Sequence, residues 1–219
     1  ALERCQALAS PATVTCLFGL GQLAIARGDA DAAERWLDEA RKMCGPNAVV
    51  PLAYLAMESA RIARYRGDLI VAGEQAAACL GTFREIGERR AEATSLTELG
   101  HIDLLTGNLD AAGDRFREAA ARNLEMRAEL GLVTCLEGLA YIAVAGGDVA
   151  QAAHLGGAAT AWRDRVGTAR TVPEREMFDT TMANARSADP DRFDAAWRAG
   201  GTMSIDQALA EAGVTAGTT

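Results

Sequence analysis

A glycine recurs along this chain at nearly constant spacing, and few folds accept that pattern. Gly28, Gly67, Gly107 and Gly147 stand 39, 40 and 40 residues apart. They anchor four similar segments: "LGQLAIARGDADAAERWLDEA", "SARIARYRGDLIVAGEQAAAC", "LGHIDLLTGNLDAAGDRFREA" and "LAYIAVAGGDVAQAAHLGGAA". After each glycine comes Asp29, Asp68, Asn108 or Asp148. Glycine readily takes the left-handed conformation that closes a helix. An Asp or Asn next to it can accept hydrogen bonds from the free amides that open the following helix. Each copy therefore reads helix, tight turn, helix.

Small residues keep the same register. Ala33, Ala72, Ala112 and Ala152 stand five residues after the glycine, and Ala40, Cys79, Ala119 and Ala159 stand twelve after it. Gly21, Ala60, Gly100 and Ala140 stand seven before it. Small side chains at fixed points let two helices approach closely while larger apolar groups fill the seams. Composition agrees: 47 of the 219 residues are alanine, and Leu, Ile, Val and Phe together number 44. That balance suits packed helices better than a β-sandwich, which needs β-branched and aromatic residues.

We expect about eleven helices, at roughly 2–9, 11–27, 30–43, 51–66, 69–86, 89–106, 109–125, 129–146, 149–166, 174–187 and 190–199, with a short one near 204–212. Pro11, Pro51, Pro173 and Pro190 suit first-turn positions, where a missing amide costs little. Ser10 and Asp189 precede two of them as caps, and Ser204 with Gln207 forms a capping-box pattern.

These offsets resemble those of the tetratricopeptide repeat. Leu20-Gly21 and Leu99-Gly100 match its pattern directly, whereas Ser59-Ala60 and Leu139-Ala140 match loosely. The period near 40 exceeds the usual length of about 34, which implies helices longer by one or two turns. A second resemblance covers most of the chain. "FREIGERRAEATSLTELGHIDLLTGNLDAAGDRFREAA" and "AAHLGGAATAWRDRVG" resemble the carboxyl-terminal helical region of bacterial STAND-type ATPases and LuxR-family regulators. Pro173 to Ala212 resembles the ending of that region, including "FDAAWRAG" and a final "S-x-x-x-AL" helix. The resemblance implies an all-α, right-handed α-solenoid of tetratricopeptide-like hairpins over 1–167, a C-terminal helical cap over 168–212, and a tail or linker over 213–219. It also implies a larger parent protein, whose nucleotide-binding and DNA-binding motifs lie in other domains. The chain starts at Ala1, and it reads as processed or as a piece of something longer, with "LERCQALA" resembling the second helix of an earlier repeat.

Several function classes are disfavoured. The net charge of −8 argues against a nucleic-acid surface. No run of 18 apolar residues or signal-peptide pattern occurs, so a membrane is not expected as a partner. No cofactor is expected, because no binding motif for one stands out. The five cysteines are odd in number, widely spread and without a CxxC, and the histidines are only His101 and His154. We read them as buried thiols in a reducing, cytoplasmic setting, with no metal site. "GLGQLA" loosely matches a dinucleotide fingerprint, but the repeat register accounts for Gly21 and Ala24 as packing positions. No GxxxxGK[ST], GxSxG or HExxH occurs, and no catalytic residue is nominated. His154 reads as an ordinary surface or packing residue.

In tetratricopeptide arrays the first helix of each repeat lines the concave side. Transferred here, that rule places Thr15, Phe18 and Gln22 in the groove. Tyr54, Met57, Arg61, Arg64 and Tyr65 follow from the second repeat. The third gives Thr94, Thr97 and His101, and the fourth Thr134, Glu137 and Tyr141. Aromatic and arginine positions are the usual anchors of recognition surfaces. The candidate groove residues are therefore Tyr54, Met57, Arg61, Arg64, Thr97, His101, Glu137 and Tyr141, and alanine at Arg61 and Tyr141 should leave the fold intact. The expected function is that of a non-catalytic interaction or sensor module in a bacterial signalling or transcriptional regulator. Its partner would be a protein or peptide, other domains of the parent chain, or a second copy. The rivals are a small-molecule effector site in the same solenoid and a structural oligomerisation arm.

Overall fold

The computed structural model describes residues 11–45 and 47–214. Among the described residues there are eleven helices and no strand. They are α1 Pro11–Ala26, α2 Ala30–Lys42, α3 Val49–Arg66, α4 Leu69–Ile86, α5 Arg89–Leu105, α6 Leu109–Glu125, α7 Glu129–Ala145, α8 Val149–Val166, α9 Val172–Ala188, α10 Pro190–Gly200 and α11 Ile205–Glu211. The observed boundaries fall within two residues of the expected ones. The helix expected at 2–9 and the cap at Ser10 lie outside the described residues.

The chain divides into two compact units. Unit one ends at Ile86 and takes in Thr171–Pro173; unit two holds Gly87–Arg170 and continues from Glu174. In unit one α1 pairs with α2 and α3 with α4, while α3 also packs on α2 and α1. In unit two α5 pairs with α6 and α7 with α8, α7 also packs on α6 and α5, and α8 receives α10 and α11. Over the four hairpins each unit is thus a solenoid-like stack, in which the two helices of a hairpin meet and the first helices of successive hairpins meet each other.

The turns form as the glycine pattern predicts. Gly28, Gly67, Gly107 and Gly147 have φ of 77°, 84°, 84° and 79°. The residue after each donates its amide five residues back, from Asp29 to Ala24, Asp68 to Ala63, Asn108 to Asp103 and Asp148 to Ala143, at 2.8–2.9 Å. This is the Schellman closure, which satisfies carbonyls that the helix end would otherwise leave bare. Capping is less uniform. Asp29 accepts from the Ala32 amide at 2.9 Å and Asp148 from the Gln151 amide at 3.1 Å. Asn108 makes no side-chain cap; its amide instead donates to Thr106 Oγ1 at 3.1 Å. The Ser204–Gln207 capping box forms, and Asp189 caps α10 ahead of Pro190.

The small-residue rows are the contact lines between helices. Ala33, Ala72, Ala112 and Ala152 are each 0% exposed, as are Ala40, Ala119 and Ala159. A β-carbon on Gly100 would lie 2.9 Å from the Phe116 ring, and one on Gly21 would lie 2.7 Å from Leu37. Large side chains fill the space left beside them. Leu17, Ile25, Leu37, Leu55 and Ile62 form the centre of unit one. Phe116, Leu136 and Leu155 are buried in unit two. Each such side chain contributes about 1.5–3 kcal/mol on burial.

Candidate functional site

Counting back from each glycine aligns the first helices. Thirteen residues before it stand Thr15, Tyr54, Thr94 and Thr134; ten before, Phe18, Met57, Thr97 and Glu137; six before, Gln22, Arg61, His101 and Tyr141. Steps of three and four residues place the three positions on one helix face. Two repeats fall in each unit, and the two pairs meet different fates.

In unit one five of the six positions stay within reach of solvent, Met57 being the exception. Thr15 and Gln22 are exposed, and Phe18, Tyr54 and Arg61 are half-buried. Gln22 Nε2 donates to Glu58 Oε1 at 3.0 Å, and Arg61 pairs with Glu58 Oε2 at 3.2 Å. Glu58 itself is buried, so these partners offset its desolvation. Tyr54 meets Phe18 edge-on with ring centroids 6.2 Å apart, and meets Phe83 at 5.1 Å. Met57 points into the core at 3% exposure, and Arg64 is buried with its guanidinium 4.5 Å above the Tyr65 ring.

Beside this face lies a cavity of about 470 Å³. One wall comes from the start of α1, with Pro11, Val14, Thr15 and Phe18. A second is the connection between α2 and α3, with Met43, Cys44, Gly45 and Ala48. The start of α3 supplies the third, with Val50, Pro51, Tyr54 and Leu55. No residue of the lining carries a formal charge. Thr15 donates its hydroxyl hydrogen to the Pro11 carbonyl at 3.1 Å, which leaves an accepting oxygen. One nominated candidate, Tyr54, thus lines a cavity, together with Thr15 and Phe18, which the positional rule had placed in the groove. The residues from the connection lie outside the repeat register, so the register could not reveal them.

In unit two three of the six positions are buried, and Thr94, Thr97 and Thr134 are half-buried. His101 is 9% exposed, Tyr141 5% and Glu137 3%. Thr94, Thr97 and Thr134 each return the hydroxyl hydrogen to the carbonyl four residues earlier. The His101 ring meets Phe116 edge-on at 5.1 Å and Tyr141 at 6.4 Å, and Tyr141 continues to Phe178 at 6.2 Å. Tyr141 is therefore a core side chain. The expectation that alanine there leaves the fold intact is corrected: removing a buried ring costs about 3–5 kcal/mol.

Glu137 organises a buried charge cluster. Arg163 grips it in two-point fashion, Nε to Oε1 at 2.6 Å and Nη2 to Oε2 at 2.7 Å. Arg170 adds a third contact to Oε1 at 2.8 Å and reaches Thr160 Oγ1 at 3.1 Å. The Arg170 guanidinium lies 3.5 Å from the centre of the Phe178 ring. Burial works against the charge on Arg163, but the hydrogen bonds and charge of Glu137 more than restore it, leaving its pKa raised. Burial, and then the Glu137 carboxylate, push the Tyr141 phenol above its ordinary range. The arginines were missed from sequence. Arg163 had a signal, since Ala152, Gly156, Ala159 and Arg163 follow each other at steps of four, three and four. A charge that ends such a small-residue row is placed to be buried.

The thiols in the interior are poor nucleophiles. Burial raises Cys79 to about 11. Burial raises Cys135 to about 12, against hydrogen bonds from Thr97 and Asn123 that lower it. Both stay protonated at neutral pH, where only a thiolate attacks. Among the described residues no cluster of three or more His, Cys, Asp or Glu could hold a metal ion, and no helix is long and apolar enough to cross a membrane. No protein-family model matches the chain, and no curated protein matches it either.

Proposed function

We propose that this chain is a non-catalytic interaction or sensor module of a larger bacterial signalling or transcriptional regulator, acting in the cytoplasm. The observation that carries the reading is the contrast between repeats. Of the equivalent first-helix positions, His101, Glu137 and Tyr141 are buried in unit two, while in unit one Thr15 and Gln22 are exposed and Phe18, Tyr54 and Arg61 are half-buried beside an open cavity. A face that keeps aromatic and arginine side chains reachable supports recognition of a peptide or protein. The resemblance of Pro173 to Ala212 to the ending of the regulator helical region supports the larger context.

The test is selection from a random peptide library displayed on phage, with the whole chain as bait. A consensus should be enriched, and its affinity should fall at least tenfold in the Gln22→Ala/Arg61→Ala variant. Failure to enrich a consensus, or equal binding by that variant, would remove the reading. The cavity favours a second reading, an effector site for a small molecule.

A further inference from the structure

We propose that the cavity between the starts of α1 and α3 is a binding site for an uncharged, largely apolar small molecule, aromatic or branched aliphatic, carrying at most one hydrogen-bond donor. Its volume of about 470 Å³ falls in the range of small-molecule sites, roughly 300–1,000 Å³. Its chemistry selects the occupant. Phe18 and Tyr54, held edge-on to each other, form an aromatic corner, and Val14, Val50 and Leu55 complete an apolar wall. A charged group placed there would lose its hydration with no opposite charge in the lining to replace it. The two helices that open onto the cavity place Pro11 and Pro51 in the lining, and neither proline has an amide to offer an anion. The polar side chains of the lining are Thr15, Cys44 and Tyr54. The Thr15 hydroxyl hydrogen is already given to Pro11, so its oxygen offers an acceptor for a ligand's N–H or O–H. A ligand with one N–H or O–H on an apolar body meets all of these conditions.

This proposal does not depend on whether a peptide docks on the neighbouring face, because the experiment reads the cavity alone. The probe is N-phenyl-1-naphthylamine, an uncharged aromatic amine whose emission rises in apolar surroundings. Saturable binding of one molecule per chain is expected, at least tenfold weaker in Thr15→Trp, where the indole fills the cavity. The melting curve of the variant checks its fold. A second readout uses the native chain. Cys44 lines the cavity, whereas exposed Cys16 does not. Peptide mapping after iodoacetamide treatment should show the probe slowing Cys44 alkylation several-fold while leaving Cys16 unchanged. 8-Anilinonaphthalene-1-sulfonate, the same ring system carrying one sulfonate, should bind at least tenfold more weakly. Absence of saturable binding, unchanged Cys44 alkylation, or equal affinity for the sulfonate would overturn the proposal. So would probe binding that fades as protein concentration rises, which would give the cavity to a second copy of the chain.

Discussion

At the scale of single residues, three glycines that look alike in sequence have opposite requirements. A β-carbon on Gly200 would fall 2.1 Å from the His154 carbonyl oxygen, and one on Gly157 would fall 2.4 Å from that of Trp197. Both obstacles are backbone, so α8 and α10 would have to part. Gly157→Ala and Gly200→Ala should each destabilise by about 1–3 kcal/mol or more, read by urea unfolding. Gly81, inside α4, meets nothing within 4 Å, and Gly81→Ala should stabilise by about 0.5–1 kcal/mol in the same measurement. Glu137 belongs at this scale too. Glu137→Ala strands buried Arg163 and removes a partner of half-buried Arg170, and should cost about 3–5 kcal/mol, whereas Glu137→Met combined with Arg163→Met should recover much of the loss. A double variant as unstable as the single one would show that the ion pair does not account for the cost.

At the scale of helices and turns, the repeat made the architecture legible. A glycine with an Asp or Asn after it marks both a helix end and the next helix start, so boundaries could be read closely. The connection between α2 and α3 was not legible, because it follows no register, and a third of the cavity's lining comes from it. Burial was also hidden: Gln22, Arg61, His101 and Tyr141 hold equivalent positions, yet neighbouring elements such as α9 and the Arg170 side chain decide which become interior. One turn departs from the glycine rule. Arg127 sits at φ 52° between α6 and α7, and Ala128 still closes the turn onto the Asn123 carbonyl at 2.8 Å. A side chain in the left-handed region costs about 1–2 kcal/mol, partly offset by the lower chain entropy of a non-glycine residue in the unfolded state. Arg127→Gly should therefore raise the melting temperature by a few degrees, and Gly107→Ala, imposing the same strain at φ 84°, should lower it.

At the scale of the whole molecule, each unit buries a thiol, Cys79 in one and Cys135 in the other. Folded, they titrate near 11 and 12; unfolded, near the ordinary 9.0. Between those values the unfolded chain releases protons that the folded chain retains, so stability falls as pH rises from about 9 towards 12. Unfolding free energies at pH 8 and pH 10 should differ more for the native chain than for the Cys79→Ala/Cys135→Ala variant. An equal difference would show that the thiols do not set the alkaline limit.

The left-handed turns have a consequence for how such a chain can change length over generations. Gly67, Gly107 and Gly147 are exposed, and nothing crowds them within 4 Å. Extra residues spliced in at these points leave both flanking helices in phase, whereas one residue added inside a helix turns every later side chain by about 100° and brings the small-residue rows out of line. Duplication or loss of an entire forty-residue hairpin keeps that phase. The hairpin is therefore the unit of heritable growth here, and gene copies of differing repeat number are the variation this architecture can absorb.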